Sequence, residues 1–138
     1  MRKACIFALL CFGLSVSAQT APIKVKIDAN RSNLEQLLRS LNSRGTKYEM
    51  TFSLSETGYD YRIAFETGKT PKDFVVGSGG YVTGGTADYP TGVAIVYDRT
   101  DHELFRINHE AMWESGAISG TAKDIVGRIH KWRADHPN

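Results

Sequence analysis

Among the carboxyl and imidazole side chains of this sequence, Asp60, Glu66, Asp98 and His109 are candidates for general acids and bases. Carboxyl and imidazole groups transfer protons efficiently when a fold brings two of them to one reacting group. Nothing in the spacing of these four residues predicts that they meet. A small secreted hydrolase that uses some of them is one hypothesis, and the sequence alone assigns no catalytic residue.

The histidine and acidic residues do not have the spacing of a known metal site. His109 and Glu110 begin like the zinc-protease motif, but Trp113 occupies the position of its second histidine. The acidic turn at residues 98–103 lacks the glycine and the ligand spacing of a calcium loop. We therefore expect neither a metal ion nor a cofactor.

Five glycines lie within residues 77–85, a cluster that could cradle a phosphate. In a phosphate-binding loop the glycines lead into Lys-Ser/Thr and a helix, whereas residues 86–90 begin no helix here. The cluster also lacks the spacing of a hydrolase nucleophile elbow. It predicts a bent or bulged strand followed by a mobile loop.

The N-terminus has the organisation of a signal peptide. A basic pair is followed by an apolar run over residues 4–14 and by small residues at 16–18, which form a cleavage site. The run is too short to span a bilayer. We expect residues 1–18 to be a signal peptide and residues 19–138 to form one exported α+β domain, periplasmic or extracellular.

Removal of that leader changes the cysteine content and the charge. Cys5 and Cys11 both lie within it, and Cys11 comes too early for a lipidation site, so the mature chain is expected to be cysteine-free. Of the 17 Lys and Arg residues, Arg2 and Lys3 are removed, which leaves 15 against 15 Asp and Glu. No basic face for nucleic acid is expected. The basic tail at 128–133 is interpreted as the polar side of a last helical turn, with anion binding as the alternative.

The clearest structural signal is a hairpin over residues 92–107. Its first strand, 93–97, is apolar on both faces and is expected inside a sheet. Its second strand, 104–107, alternates between two faces, which is typical of a strand at an edge or flank of the sheet. Residues 98–102 supply the polar turn between them.

Hydrophobic periodicity predicts the elements before this hairpin. An alternating strand at 23–27 precedes a helix with apolar residues over 34–41. Ser32 and Glu35 have the spacing of a capping box, and Gly45 suits a left-handed helix end. Strands over 48–54 and 59–65 are expected to form a hairpin with an aromatic face, and its tyrosines, Tyr48 and Tyr61, are expected at the rim of the core.

The remaining segments are predicted from glycine, proline and apolar spacing. Residues 68–72 are expected to be a connection, and an apolar strand begins at Phe74. After the central hairpin, Gly116 and Gly120 are expected to flank a loop. A second helix is expected from Thr121, with an apolar stripe from Ala122 to Ile129 and Pro137 after its end.

The helix at 34–41 with its Gly45 stop, the extended segment 59–63, the hairpin at 93–106 and the closing helix at 122–129 resemble small bacterial envelope proteins. These include an uncharacterised lipoprotein family often found with outer-membrane components and, more distantly, TolB N-terminal and curli-secretion periplasmic domains. The resemblance implies a sheet with helices on one side, acting as an accessory or assembly domain without catalysis. The absence of a lipidation cysteine departs from the lipoprotein pattern.

Together these observations predict an α+β domain with an antiparallel or mixed sheet of five or six strands and two helices packed on one face. The expected function is non-catalytic binding of a protein or ligand at the bacterial envelope or outside it. We expect an envelope or extracellular protein partner, no nucleic acid and no membrane span, and the sequence does not determine the oligomeric state. The alternatives are the small hydrolase and an inhibitor of a foreign enzyme, which would present a protruding loop over residues 77–90.

Overall fold

The computed structural model of the chain describes residues 22–137, so the predicted signal peptide lies outside the described residues. This range forms five strands and two helices. In chain order they are β1 (Ile23–Asp28), α1 (Arg31–Gly45), β2 (Phe52–Leu54), β3 (Tyr61–Ser78), β4 (Tyr81–Tyr97), β5 (Glu103–Glu110) and α2 (Glu114–Asp135), with a short 3₁₀ turn (Thr46–Tyr48) after α1.

The five strands form one mixed sheet in the order β2-β1-β3-β4-β5. Strand β1 runs parallel to both β2 and β3, whereas β3, β4 and β5 pair antiparallel in sequence. Both helices contribute to the hydrophobic core that covers one face of this sheet. The predicted α+β class, with a mixed sheet and two helices, is confirmed.

The core lies between the two helices and the inward-facing residues of the sheet. Its fully buried members include Val25, Ile63, Val96, Leu37, Leu41, Ile118, Ile125 and Ile129. The predicted stripe of the second helix therefore faces the sheet as expected. Tyr48 and Tyr61 are half-buried against this cluster, which confirms their predicted place at its rim.

The hairpin over residues 92–107 is confirmed. Its first strand belongs to β4, which lies between β3 and β5, so the predicted position inside the sheet is confirmed. Its second strand belongs to β5, which is an edge strand of the sheet. The turn is closed by Asp98, whose carboxylate accepts hydrogen bonds from the backbone N–H groups of Thr100 and His102.

The predicted hairpin between 48–54 and 59–65 is wrong. Strand β1 lies between β2 and β3, and residues 55–60 carry the chain from one side of β1 to the other. The backbone N–H of Ser55 donates to Val25, and that of Asp60 donates to Lys24. The alternation of apolar residues is the same whether two strands pair directly or flank a third, so periodicity could not separate these cases.

Helix α1 ends at Gly45 as predicted, but the predicted capping box and the left-handed conformation of Gly45 are wrong. Asn30 is the N-cap residue and makes no side-chain cap hydrogen bond, and Ser32 lies inside the first turn. Gly45 keeps right-handed geometry with φ −69°, while Glu49 takes the left-handed conformation with φ 58°. Gly45 is needed for space, since a Cβ atom there would lie 2.9 Å from the carbonyl oxygen of Met50.

Helix α2 begins at Glu114, about two turns before the predicted start at Thr121. Gly116 and Gly120 are therefore helical and do not flank a loop. Gly120 makes room for a neighbouring side chain, because a Cβ atom at this position would lie 2.1 Å from the ring of His109 on β5. A glycine that makes room for a neighbouring side chain has the same sequence signature as a glycine in a loop.

Candidate functional site

The hairpin of β3 and β4 extends well beyond the rest of the sheet. Pairing with β1 ends at Ala64, and pairing with β5 ends at Thr91. Residues 69–78 and 81–90 pair only with each other, and we call these two segments and their turn the arm. Ten residues per strand at about 3.3 Å per residue correspond to a projection of roughly 33 Å.

Three predictions for this segment are wrong: the connection at 68–72, the bent or bulged strand and the mobile loop. Both strands are paired continuously from Gly68 opposite Thr91 to Ser78 opposite Tyr81. The reversal consists of only two glycines, at φ 60° and 84°, which is the geometry of a tight hairpin turn. A Gly-Gly pair between two apolar runs is a hairpin signal, and it could have identified this turn from the sequence.

Polar cross-strand contacts on the outer face of the sheet hold the root of the arm. The hydroxyls of Thr70 and Thr91 are 2.8 Å apart. Lys72 forms an ion pair with Glu110 at the end of β5, and this hydrogen-bonded carboxylate raises the pKa of Lys72. These contacts tie the first residues of the arm to the edge of the sheet.

Contacts on the opposite face hold the root against the helices. Buried Asn33 on α1 donates to the hydroxyl of Thr67 on β3, with 3.3 Å between Nδ2 and Oγ1. On β5, His109 Nδ1 lies 3.0 Å from Asp124 Oδ2 on α2. The arm is therefore anchored on both faces before it leaves the body of the domain.

The outer part of the arm carries apolar side chains that have no cover. Their exposed fractions are 41% for Phe74, 73% for Val75, 58% for Val76, 82% for Tyr81 and 75% for Val82. Paired residues share a face, so the strand register divides these side chains between both faces of the arm. The end of the arm is thus apolar on each side, which is unusual for a segment surrounded by water.

The same part of the arm lacks the features that usually protect an exposed strand edge. Residues 74–87 contain no charged side chain and no proline, whereas Lys69, Pro71 and Lys72 lie closer to the root. Charges and prolines are the common means by which proteins prevent edge strands from pairing with other chains. The outer arm therefore presents two unprotected backbone edges together with apolar side chains.

The four predicted acid–base residues lie in three different places. Asp60 and Asp98 line one cleft of about 400 Å³ with Tyr61. Glu66 lines a separate, shallow depression on the outer face of the sheet. His109 faces α2 on the other side, so the structure brings together only the first two.

Both carboxylates in the shared cleft already take part in local structure. Asp98 Oδ1 accepts hydrogen bonds from the hydroxyl of Thr100 at 2.7 Å and from the N–H of His102 at 3.0 Å. The Thr100 hydroxyl and these backbone donors lower the pKa of Asp98. Asp60 pairs with Arg99 at 3.2 Å. Burial raises the pKa of the Tyr61 phenol, which borders the same cleft.

Residues 22–137 contain neither a cluster of metal ligands nor a helix that could span a membrane. In this range no group of three or more His, Cys, Asp or Glu side chains has the geometry to hold a metal ion. No helix within the same described residues has both the length and the apolar character needed to cross a membrane.

The fold and the arm together define an α+β domain with a projecting β-hairpin. No family model matches the chain, and no curated protein matches it. Among solved structures, it is similar to the solution NMR structure of the uncharacterized lipoprotein B from Nitrosomonas europaea. The two chains are 14% identical, with 86% of this chain and 88% of that chain covered and a TM-score of 0.40. The expected resemblance to an uncharacterised lipoprotein is confirmed as a weak one.

Proposed function

We propose that this chain is a non-catalytic binding module of an exported protein and that its arm pairs with an extended segment of a partner protein. The observation that carries the proposal is the uncharged outer arm, whose apolar side chains are exposed on both faces. A two-stranded hairpin without further cover is only marginally stable in water. A partner that covers the arm would stabilise it.

The backbone of the arm favours a protein strand over lipid as the occupant. Beyond Thr91 and Ala64 neither edge of the hairpin has a neighbouring strand within the described residues. Unpaired backbone groups cost several kcal/mol each in hydrocarbon but are satisfied when another strand adds to the edge. Strand addition therefore satisfies the edges and covers the apolar side chains in one step.

Two valines near the turn allow a test that changes polarity and leaves shape almost constant. The double variant Val75→Thr/Val82→Thr keeps β-branched side chains, so the hairpin retains its strand propensity. Covering an exposed valine contributes roughly 1.5 to 3 kcal/mol, so the double variant should weaken partner binding by about tenfold or more. Leu54→Thr is the matched control, because Leu54 is 52% exposed on β2 and lies outside the arm.

The measurement combines crosslinking with binding. A photoreactive residue at Tyr81 identifies proteins that contact the arm in an extract of the bacterial envelope, and each candidate is then titrated in purified form. The proposal expects a partner that binds wild type and Leu54→Thr equally and loses affinity for the double variant. A partner that the Leu54 and valine variants bind equally well, or no crosslink from Tyr81, would overturn it.

The identity of the crosslinked protein separates two forms of this function. An inhibitor of a foreign enzyme would lower the activity of a captured hydrolase in proportion to occupancy. An accessory module would bind an envelope protein without such an effect. A second copy of this chain is a third outcome, and sedimentation would report it as a dimer that the double variant converts to a monomer.

Export is part of the proposal and rests on the organisation of residues 1–18. A basic pair, an apolar run and a small-residue cleavage site predict a mature chain that begins at Gln19 and is released to the periplasm or the outside. N-terminal sequencing of the protein recovered from each cell fraction tests this. Recovery in the cytoplasm with an unprocessed leader would contradict it.

A small hydrolase is the second candidate, because Asp60 and Asp98 converge in one cleft with Tyr61. Its test is activity against a panel of ester, phosphoester and glycoside substrates, with Asp60→Asn as the decisive variant and Glu66→Asn as the control outside this cleft. Hydrolysis that the Asp60 variant abolishes and the Glu66 variant preserves would favour the enzyme over the binding module.

A further inference from the structure

A second concave surface lies on the helical side of the domain, apart from the arm. It is a groove of about 630 Å³ between the end of α1, the 3₁₀ turn and the middle of α2. Its charged lining consists of Arg44, Lys47, Lys123, Arg128 and Asp124. The volume lies in the range of pockets that bind small molecules.

The groove concentrates positive charge in a chain that is otherwise balanced. Without the predicted leader the chain has 15 basic residues, from the 17 that include Arg2 and Lys3, and 15 acidic ones. Four cationic residues and a single carboxylate line the groove, and that carboxylate, Asp124, lies 3.0 Å from His109 Nδ1. The charged residues of the groove therefore carry a net positive charge.

Neutral groups hold three of these cations in place. Arg44 Nη2 donates to the hydroxyl of Ser119 at 2.8 Å, and Arg128 Nη1 donates to the carbonyl of Arg106 at 3.2 Å. The ammonium of Lys47 lies 4.7 Å from the centroid of the Tyr48 ring. Such contacts orient the side chains without neutralising them, and each guanidinium has five N–H groups with which to meet an anion.

The wall and the floor of the groove are suited to a ligand. Tyr48 stacks on His130 with 4.2 Å between ring centroids, which makes this wall rigid. On the floor, a Cβ atom placed on Gly127 would meet no atom within 4 Å, so there is open space above the helix. Arginine forks and lysine ammonium groups around open space are the usual means of binding phosphate and sulfate groups.

We propose that this groove binds a small molecule that carries two or more phosphate or sulfate groups. A single such group contacts one or two cations, whereas a ligand with two or more groups can contact several of them at once. The site lies on the helices, and the proposal is independent of the function of the arm. It also gives Arg128 the anion-binding role that the sequence leaves as an alternative for the basic tail.

Gly127 offers a variant that changes the charge of the groove at a position with room for a Cβ atom. Gly127→Glu introduces a carboxylate into open space, and Gly127→Gln introduces a neutral side chain of the same shape. With sodium pyrophosphate as the probe, calorimetric titration of the purified chain should give saturable binding for wild type and Gly127→Gln. Gly127→Glu should weaken this binding by about tenfold or more, since like charges repel at short range.

A second variant and a spectroscopic measurement secure the assignment. Lys123→Gln removes one exposed cation of the groove and should weaken pyrophosphate binding in the same direction. Pyrophosphate should shift the amide resonances of residues 123–128 and leave those of the arm unchanged, and Val75→Thr/Val82→Thr should bind it like wild type. Failure of this site and failure of the arm are thus distinguishable.

The source of the anion is resolved by comparing free and lipid-borne phosphate. Phosphatidylcholine vesicles that contain cardiolipin, whose headgroup carries two phosphates, should co-sediment with the chain, in a pyrophosphate-sensitive manner, if the ligand is a headgroup. Saturable pyrophosphate binding without co-sedimentation assigns a free oxyanion. The proposal is overturned if pyrophosphate acts no differently from sodium chloride of equal ionic strength, or if Gly127→Glu and Gly127→Gln bind pyrophosphate equally.

Discussion

Gly92 on β4 lies directly against Thr121 on α2. A Cβ atom on Gly92 would be 2.2 Å from Thr121 Oγ1 and 2.9 Å from the carbonyl oxygen of Ala117. The Thr121 hydroxyl donates to that same carbonyl at 2.8 Å, and Thr121 is fully buried. Helix α2 therefore crosses β4 at the residue where the body of the sheet ends and the arm begins.

Gly92→Ala is expected to destabilise the whole domain because the added methyl group collides with the backbone of α2 as well as with Thr121. Overpacking of this kind costs about 1 to 3 kcal/mol of the free energy of unfolding. Urea denaturation measures it. Gly127→Ala is the matched control, since its methyl group enters open space and better helix propensity should add up to about 1 kcal/mol of stability. Equal effects of the two substitutions would contradict this packing.

Gly80→Ala is expected to loosen the arm and leave the core intact. Gly80 has φ 84°, where an L-residue with a Cβ atom costs about 1 to 2 kcal/mol, and its Cβ would contact nothing within 4 Å. Amide hydrogen exchange should become faster in residues 74–87 and stay unchanged in α2. Gly79→Asn is the control, because asparagine tolerates positive φ and Asn-Gly favours this type of turn. Faster exchange throughout the domain in Gly80→Ala would refute a locally confined arm.

Asp98 is expected to make the stability of the β4–β5 turn depend on pH in the acid range. Hydrogen bonds from Thr100 and from the backbone lower the pKa of Asp98 in the folded state. Its stabilising effect is therefore complete above the pKa of the unfolded chain, about 3.9, and is lost as the pH falls through the lower folded value.

The urea midpoint of Asp98→Asn measures this effect against wild type. The difference between the two proteins should be constant near neutral pH and should narrow as the pH falls below about 4. Thr100→Val removes the hydroxyl that is the largest cause of the lowered pKa of Asp98. The stability of this variant should therefore depend less on pH than the stability of wild type does. If the difference in urea midpoint widened on acidification, the pKa of Asp98 would be raised and not lowered in the folded state.

From the amino-acid sequence alone we could predict the class of the fold, the hairpin over 92–107 and the buried stripes of both helices. These features follow from local periodicity, since the spacing of apolar residues two, three or four positions apart indicates which face of a strand or helix is buried. Pairs such as Asp98 with Thr100 are equally local, which is why the polar turn was predicted correctly.

The folded structure was needed to find the strand order, the arm and the roles of the glycines. The position of β1 between β2 and β3 depends on contacts between residues far apart in the sequence. Apolar alternation does not indicate which strands are neighbours. Gly92 and Gly120 matter because of what approaches them from another element, whereas Gly79 and Gly80 matter because of their own φ angles. The four are identical in sequence terms, and only their surroundings separate a packing glycine from a turn glycine.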